Sequence, residues 1–189
     1  SARLTSDNPL LKMGMNADMR LDRNYLDGKL DLNVSEIDLY KLGIATRPLK
    51  RPFAFTLGAE ARRDSIKMKM DAGDLDFQFR ARSTMKKLME QGTGFATLLM
   101  RQIEHKHLDH AELRHALPSA GMHLQAGKQN PVSYFLATKD ITFDDFTLRF
   151  GFTPTRGING RTAIHGLRMD SLQLDTIFFA VSQDTTRMK

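Results

Sequence analysis

The densest group of side chains capable of metal or acid–base chemistry lies between residues 104 and 115. Histidines and carboxylates can hold a metal ion or move protons, and the stretch contains Glu104, His105, His107, Asp109, His110, Glu112 and His115. Their spacing lacks the His-Glu-x-x-His zinc pattern, and the absence of cysteine excludes thiolate sites. Asp109 and its neighbours are typical of a helix start. We therefore interpret the group as solvated helix surface, with no metal site.

No other residues have the spacing of a known catalytic motif. The chain lacks a Gly-x-Ser-x-Gly elbow, and residues 92–94 (GTG) lack the lysine of a phosphate-binding loop. The aspartates at 71 and 74, and those at 144 and 145, are of the kind that turns collect for local hydrogen bonds. We expect no enzymatic activity and no cofactor.

Composition indicates one folded module. The chain has 189 residues, of which 41% are hydrophobic and 26% charged, so disorder is not expected. Its net charge of +6 suits an anionic partner such as nucleic acid or acidic lipid headgroups. However, Lys67 and Lys69 alternate with Met68 and Met70, which places the charges on the wet face of a strand. We interpret the basic residues as a solvated face and expect no nucleic-acid partner.

Apolar and polar residues alternate with period two through most of the chain. Such alternation predicts strands with one apolar face, beginning near residues 11, 26, 53, 66, 75, 122, 146 and 158. Most gaps are too short for parallel crossovers, so we expect an antiparallel meander. The fold class is mainly β with an α insert (α+β): a curved or rolled antiparallel sheet with an amphipathic helix packed on it.

The period changes near Thr84. Apolar residues then follow helical spacing, at Met85, Leu88, Met89, Phe95, Ala96, Leu99 and Ile103. We predict a helical insert over 84–117, with its apolar stripe on the sheet and a second helix ending at Pro118. Asn130 and Pro131 predict the cap and first position of another short helix. We also predict a short helix from Ser35 to Gly43, and a bulge near residues 175–176 in the last strand.

Several segments resemble parts of the TamB family (translocation and assembly module, AsmA-like superfamily), particularly its Bacteroidetes forms. These are INGR at 158–161 with IHGLRMDSLQLDTI at 164–177, EIDLYKLG at 36–43 with RPL at 47–49, KKL at 86–88, and LRHALP at 113–118 with GKQN at 127–130. The resemblance implies an internal segment, spanning residues 1–189 as a single module, of a periplasmic protein anchored in the inner membrane of a Gram-negative bacterium. It also implies an elongated β groove with an apolar interior, working in outer-membrane biogenesis. The helical insert departs from this pattern, and would instead plug or cover the apolar face.

Two functions remain open at this point. One is lipid transport between the inner and outer membranes, with phospholipid acyl chains as partners. The other is a structural or protein-interaction module that assists outer-membrane protein translocation and assembly, with a β-barrel assembly protein as partner. Alternation is the same for a groove and for a closed core, so it does not choose between them. The candidate lipid-binding residues are Leu30, Leu32, Met68, Met70, Phe77, Phe79, Phe146, Leu148 and Phe150.

Overall fold

A computed structural model describes residues 1–21, 26–49, 51 and 53–183. Within these ranges the chain forms one sheet and three helices. The strands are β1 (Ala2–Asn8), β2 (Leu11–Leu21), β3 (Leu26–Ile37), β4 (Phe55–Ala61), β5 (Ile66–Ala72), β6 (Leu75–Ala81), β7 (Ala120–Ala126), β8 (Ile141–Thr142), β9 (Asp145–Thr153), β10 (Gly157–Met169) and β11 (Leu172–Ser182). The helices are α1 (Met85–Glu104), α2 (His110–Ala116) and α3 (Pro131–Ala137).

The strands follow one another across the sheet almost in chain order. The order is β1-β2-β3-β4-β5-β6-β7-β9-β10-β11, every neighbouring pair is antiparallel, and β8 pairs with the end of β10. The sheet is open rather than closed into a barrel. The predicted antiparallel meander with a helical insert is therefore confirmed.

The insert leaves the sheet after β6 and returns at β7. Thr84 caps α1 by accepting a hydrogen bond from Lys87 N at 3.1 Å, and Asp109 caps α2 by accepting from Ala111 N and Glu112 N. These backbone donors, chiefly Glu112 N, lower the pKa of the Asp109 carboxyl. Both helices and their starts agree with the prediction. His107 lies before α2, so it does not share a helix face with His110.

The expected packing of the α1 stripe is wrong for part of it. Met89 is 66% exposed and Ile103 54%, whereas Leu88, Phe95 and Leu99 are half-buried. α1 contacts α2, and α2 in turn contacts β10. The α1 stripe is therefore shielded at Leu88, Phe95 and Leu99 but open to solvent at Met89 and Ile103.

A polar contact holds the two helices together. Gln102 is the buried residue of α1; its Nε2 donates to Glu112 Oε2 at 2.7 Å, and its Oε1 accepts from Asp109 N at 2.8 Å. A buried amide with partners on both of its polar atoms fixes the angle of the helix pair at little desolvation cost.

A second polar contact joins the β5–β6 turn to α3. Asn130 is fully buried; its Nδ2 donates to Asp74 Oδ1 and to Gly127 O, and its Oδ1 accepts from Ser133 N. Asp74 Oδ2 also accepts from Gln129 N at 2.8 Å. Asp74 was expected to make local turn bonds, but it bonds residues more than fifty positions away. Asn130 and Pro131 open α3 as predicted.

The predicted helix from Ser35 to Gly43 is wrong. β3 continues to Ile37, and Ser35 is an extra residue in a bulge, since Lys12 pairs with Glu36 but Met13 pairs with Val34. Residues beyond Ile37 form turns, with Lys41 N donating to Asp38 Oδ1 at 2.9 Å. Gly43 has a φ of +72° and helps close this turn rather than a helix.

The predicted bulge at 175–176 is also wrong. β10 and β11 keep one register from Asn159↔Ser182 to Met169↔Leu172. Adjacent Phe178 and Phe179 therefore point to opposite faces, and both are exposed. The strand irregularity lies elsewhere: β8 and β9 share one register on β10, interrupted where Phe143 turns inward and Gly166 adopts a φ of +60°.

Two glycines provide a matched test of the contact between the β5–β6 turn and the start of α3. Gly73 has a φ of +67°, and a Cβ there would overlap the carbonyl oxygen of Gln129, whereas a Cβ on Gly92 in α1 would meet no atom. We expect Gly73→Ala to lower the free energy of unfolding by about 2 kcal/mol or more. Gly92→Ala should raise it by up to about 1 kcal/mol through helix propensity. Denaturant titration measures both, and equal effects would contradict the placement of Gly73.

Candidate ligand-binding face

The sheet register brings the nine candidate residues onto one side of the sheet, here called the apolar face. Four of them stand in a single cross-strand row, in which each residue lies opposite the next. That row is Leu4, Met15, Leu32, Leu57, Met70, Phe77, Leu124, Leu148, Thr162 and Phe179. It crosses ten strands and contains one polar residue.

A second row runs beside the first, two residues further along each strand. It is Ala2, Ala17, Leu30, Ala59, Met68, Phe79, Met122, Phe150, Gly160 and Val181. The ring of Phe150 lies where a Cβ on Gly160 would stand, and it stacks on Phe152 at 6.0 Å between centroids. Four more candidates belong to this row, and Phe146 lies in a third row, between Ala126 and Ile164.

None of the nine candidates is either fully buried or fully exposed. All are half-buried, and three of them, Met70, Phe77 and Phe146, pack against the buried cluster that contains Phe143. The nine-residue list was incomplete, because Leu57, Ala59, Met122 and Leu124 stand in the same rows. The alternation that identified the nine contains these four too, but their place in the rows depends on register.

The two ends of the apolar face are covered. At one end, Phe143 packs with Ala72, Leu75 and Ala126, and Leu136 of α3 packs beside them. At the other end, α2 lies against β10 and buries Leu113 and Leu117. Close packing is therefore concentrated toward the strand ends, and at the Phe143 end it reaches Met70, Phe77 and Leu124 of the first row.

The opposite face is polar, as the alternation predicted. Lys12 pairs with Glu36 at 2.7 Å, and Lys69 pairs with Asp71 at 2.9 Å. Lys67 and Arg80 are also exposed. Exposed ion pairs of this kind contribute little stability, but they keep one side of the sheet hydrated.

The accessible surface is large for the mass of the chain. It is 12599 Å² for 21.4 kDa, against about 9,100 Å² for a compact monomer of that mass. An excess of this size is characteristic of an open layer, because a two-layer domain would bury one face of the sheet. The apolar face is therefore surface that a ligand or partner is able to cover.

In the described part of the chain, no group of three or more histidine or acidic side chains is placed to hold a metal ion. No helix there combines the length and the apolar character of a membrane span. Asp144, which the sequence analysis interpreted as a turn residue, forms an ion pair with Lys128 Nζ at 2.8 Å, and this contact lowers the pKa of its carboxyl group.

Comparison with known proteins returned no matching family model, curated protein or solved structure.

Two residues of β5 on the same face distinguish an open face from a dry core. Ile66 is 2% exposed, and Met68, two positions along, is half-buried in the second row. We expect Ile66→Ala to lower the free energy of unfolding by about 2–5 kcal/mol. Met68→Ala should cost below about 1.5 kcal/mol, because much of its surface is already in water. Denaturant titration measures both, and an equal cost would mean that the second row is a closed core.

Proposed function

We propose that this chain is a periplasmic segment of a TamB-like or AsmA-like envelope-biogenesis protein, anchored in the inner membrane outside this segment. Its apolar face holds phospholipid acyl chains on their way between the inner and outer membranes. The observation that carries the proposal is the pair of apolar rows that cross ten strands and are half-buried except in the edge strands, where Ala2, Leu4 and Phe179 are exposed. The segment resemblances to the TamB family support it.

The rows have suitable length and direction for an acyl chain. Neighbouring strands lie about 4.8 Å apart, so ten strands provide an apolar path about 40 Å long. The path runs across the strands, from the edge at β1 to the edge at β11. A chain lying along it crosses from strand to strand without meeting a charged side chain in either row.

Binding along these rows needs no specific polar group. Burying a methylene gains about 0.8 kcal/mol, so contact over a modest number of methylenes holds a chain without tight selectivity. Met15, Met68, Met70 and Met122 add to this, because methionine adapts its shape to irregular ligands. A conduit requires such graded binding, since a lipid must leave each position as readily as it enters.

One observation favours the second function, assistance of outer-membrane protein assembly. β11 is an edge strand of eleven residues among those described, and it exposes Phe178 (65%) and Phe179 (57%). An unpaired edge of this length offers backbone groups on which an extended strand of another protein can add. In this alternative the sheet acts through its edge, and lipid is not its ligand.

Photo-crosslinking at adjacent residues of β5 tests the lipid proposal. Met70 belongs to the first row, and Lys69 points to the polar face. With a photoreactive residue at position 70, we expect capture of phospholipid from phosphatidylethanolamine and phosphatidylglycerol vesicles. The same residue at position 69 should capture little, and matched melting curves show that both variants fold. Equal capture at the two positions, or none at position 70, would count against a lipid path.

The second function is tested with the same chemistry at the edge. The variant that carries a photoreactive residue at position 178 is mixed with a urea-unfolded outer-membrane barrel protein while the urea is diluted. Capture of that polypeptide at 178, with no lipid captured at 70, would replace the lipid proposal by the assembly one.

A further inference from the structure

The polar side of the sheet contains a cavity of about 950 Å³ near the end where α2 lies. Its walls come from the start of β5, the end of β6, the start of β7 and the β9–β10 loop. Gly121 lies on its floor, opposite Gly151 in the neighbouring strand. Two facing glycines leave room that side chains would otherwise fill.

Four cations line this cavity: Lys67, Arg80, Arg82 and Arg156. Its described lining residues include no carboxylate, and the described part of the chain holds no carboxylate oxygen within 4.0 Å of these four. Glu60 stands opposite Lys67 in the β4–β5 pair, but it bonds Arg62 Nε at 2.6 Å. The four cations therefore have no carboxylate in direct contact among the described residues, although the pKa of Glu60 is lowered chiefly by Arg62 and in smaller part by Lys67.

The register makes two of these charges repel. Lys67 and Arg80 are directly opposite on β5 and β6, an arrangement that destabilises a sheet when nothing lies between the charges. The cavity at the other end of the sheet differs, since Arg47 pairs with Asp140, and Lys128 and Arg168 with Asp144. The cations of the two cavities thus differ in whether the chain supplies their counter-charge.

The other residues that line the cavity indicate which kind of anion would fit beside the four cations. Hydroxyl side chains, among them Ser119 and Thr153, lie beside the cations, and Thr153 Oγ1 accepts from Arg156 N at 2.9 Å. Arg114 of α2 donates to Thr155 O and so holds the same loop. Guanidinium groups with hydroxyls suit phosphate oxygens. The lining contains no aromatic ring on which a nucleic-acid base would stack.

We propose that this cavity binds the phosphate group of a small or lipid ligand, with Arg80 and Arg156 as its principal contacts. The site lies on the face opposite the apolar rows, so it does not depend on the lipid path. Bound phosphate would lie between charges that otherwise repel and would join β5–β6 to the β9–β10 loop.

The test measures inorganic pyrophosphate binding by isothermal titration calorimetry. We compare the wild type with the double variant Arg80→Gln/Arg156→Gln. The control is Lys86→Gln/Lys87→Gln, which removes the same charge from two exposed residues at the start of α1 that do not line the cavity. We expect the cavity variant to bind at least tenfold more weakly and the control to bind within twofold of the wild type. Equal losses in both variants, or none in the cavity variant, would overturn the proposal.

Sedimentation with vesicles identifies the source of the phosphate. Binding to phosphatidylglycerol vesicles but not to phosphatidylcholine vesicles, lost in the cavity variant, assigns a lipid headgroup. Pyrophosphate binding without vesicle binding assigns a soluble phosphate, and absence of both overturns the site.

A ligand-free check is the melting temperature of Arg80→Gln, which should rise because the repulsion with Lys67 is removed; a fall would contradict that repulsion.

Discussion

The register of every strand pair keeps the apolar side chains on one face of the sheet, and the rest of the structure depends on this constraint. A shift of one residue between any two strands would move a strand's apolar set to the wet side. From Leu4 to Phe179 no such slip occurs, so the two rows continue across ten strands. The bulge at Ser35 lies beyond Val34, outside both rows.

A single layer with an open apolar face needs stabilisation from its ends. The chain provides it through small packed clusters around Phe143 and Leu117, and through polar contacts in which buried groups are satisfied. Asn130 replaces water by Asp74, 56 positions away, and Gln102 replaces it by Asp109 and Glu112 of the following helix and its cap. Because these contacts hold the margins, the middle of the face remains uncovered without loss of the fold. The helical insert departs from a plain sheet, and its second helix, α2, contacts β10.

Much of this architecture could be predicted from period and cap residues, since strand alternation, Thr84, Asp109 and Asn130 are local signals. The errors arose where pairing or packing with a distant segment overrode a local sequence signal. Ser35 has cap chemistry, yet pairing with β2 draws it into a bulge. β1 was missed because Leu4 is its single large apolar side chain. Amphipathicity of α1 predicted a buried stripe, but how much is shielded depends on which element lies beside it.

The two sites also differ in how much of them the sequence could predict. Alternation identified the nine candidate residues, but that they form continuous rows depends on the register of every strand pair. The basic cavity was not visible at all. Lys67 and Arg80 are separated by a turn, and Arg80 and Arg156 by the insert, three strands and α3, and each alone has the pattern of a solvated residue. Only the folded sheet places them around one space.

Native mass spectrometry of gently purified protein tests the central claim most directly, since it weighs the chain together with whatever covers its apolar face. We predict species heavier than the 21.4 kDa chain by the mass of one or more phospholipids. These should be lost in a variant with Leu32→Glu and Phe77→Glu, which charges the first row. They should persist with Asn33→Glu and Gln78→Glu, the neighbouring residues on the polar face. Bare protein from mild preparations, or equal lipid retention by both variants, would contradict an acyl-chain path on this face.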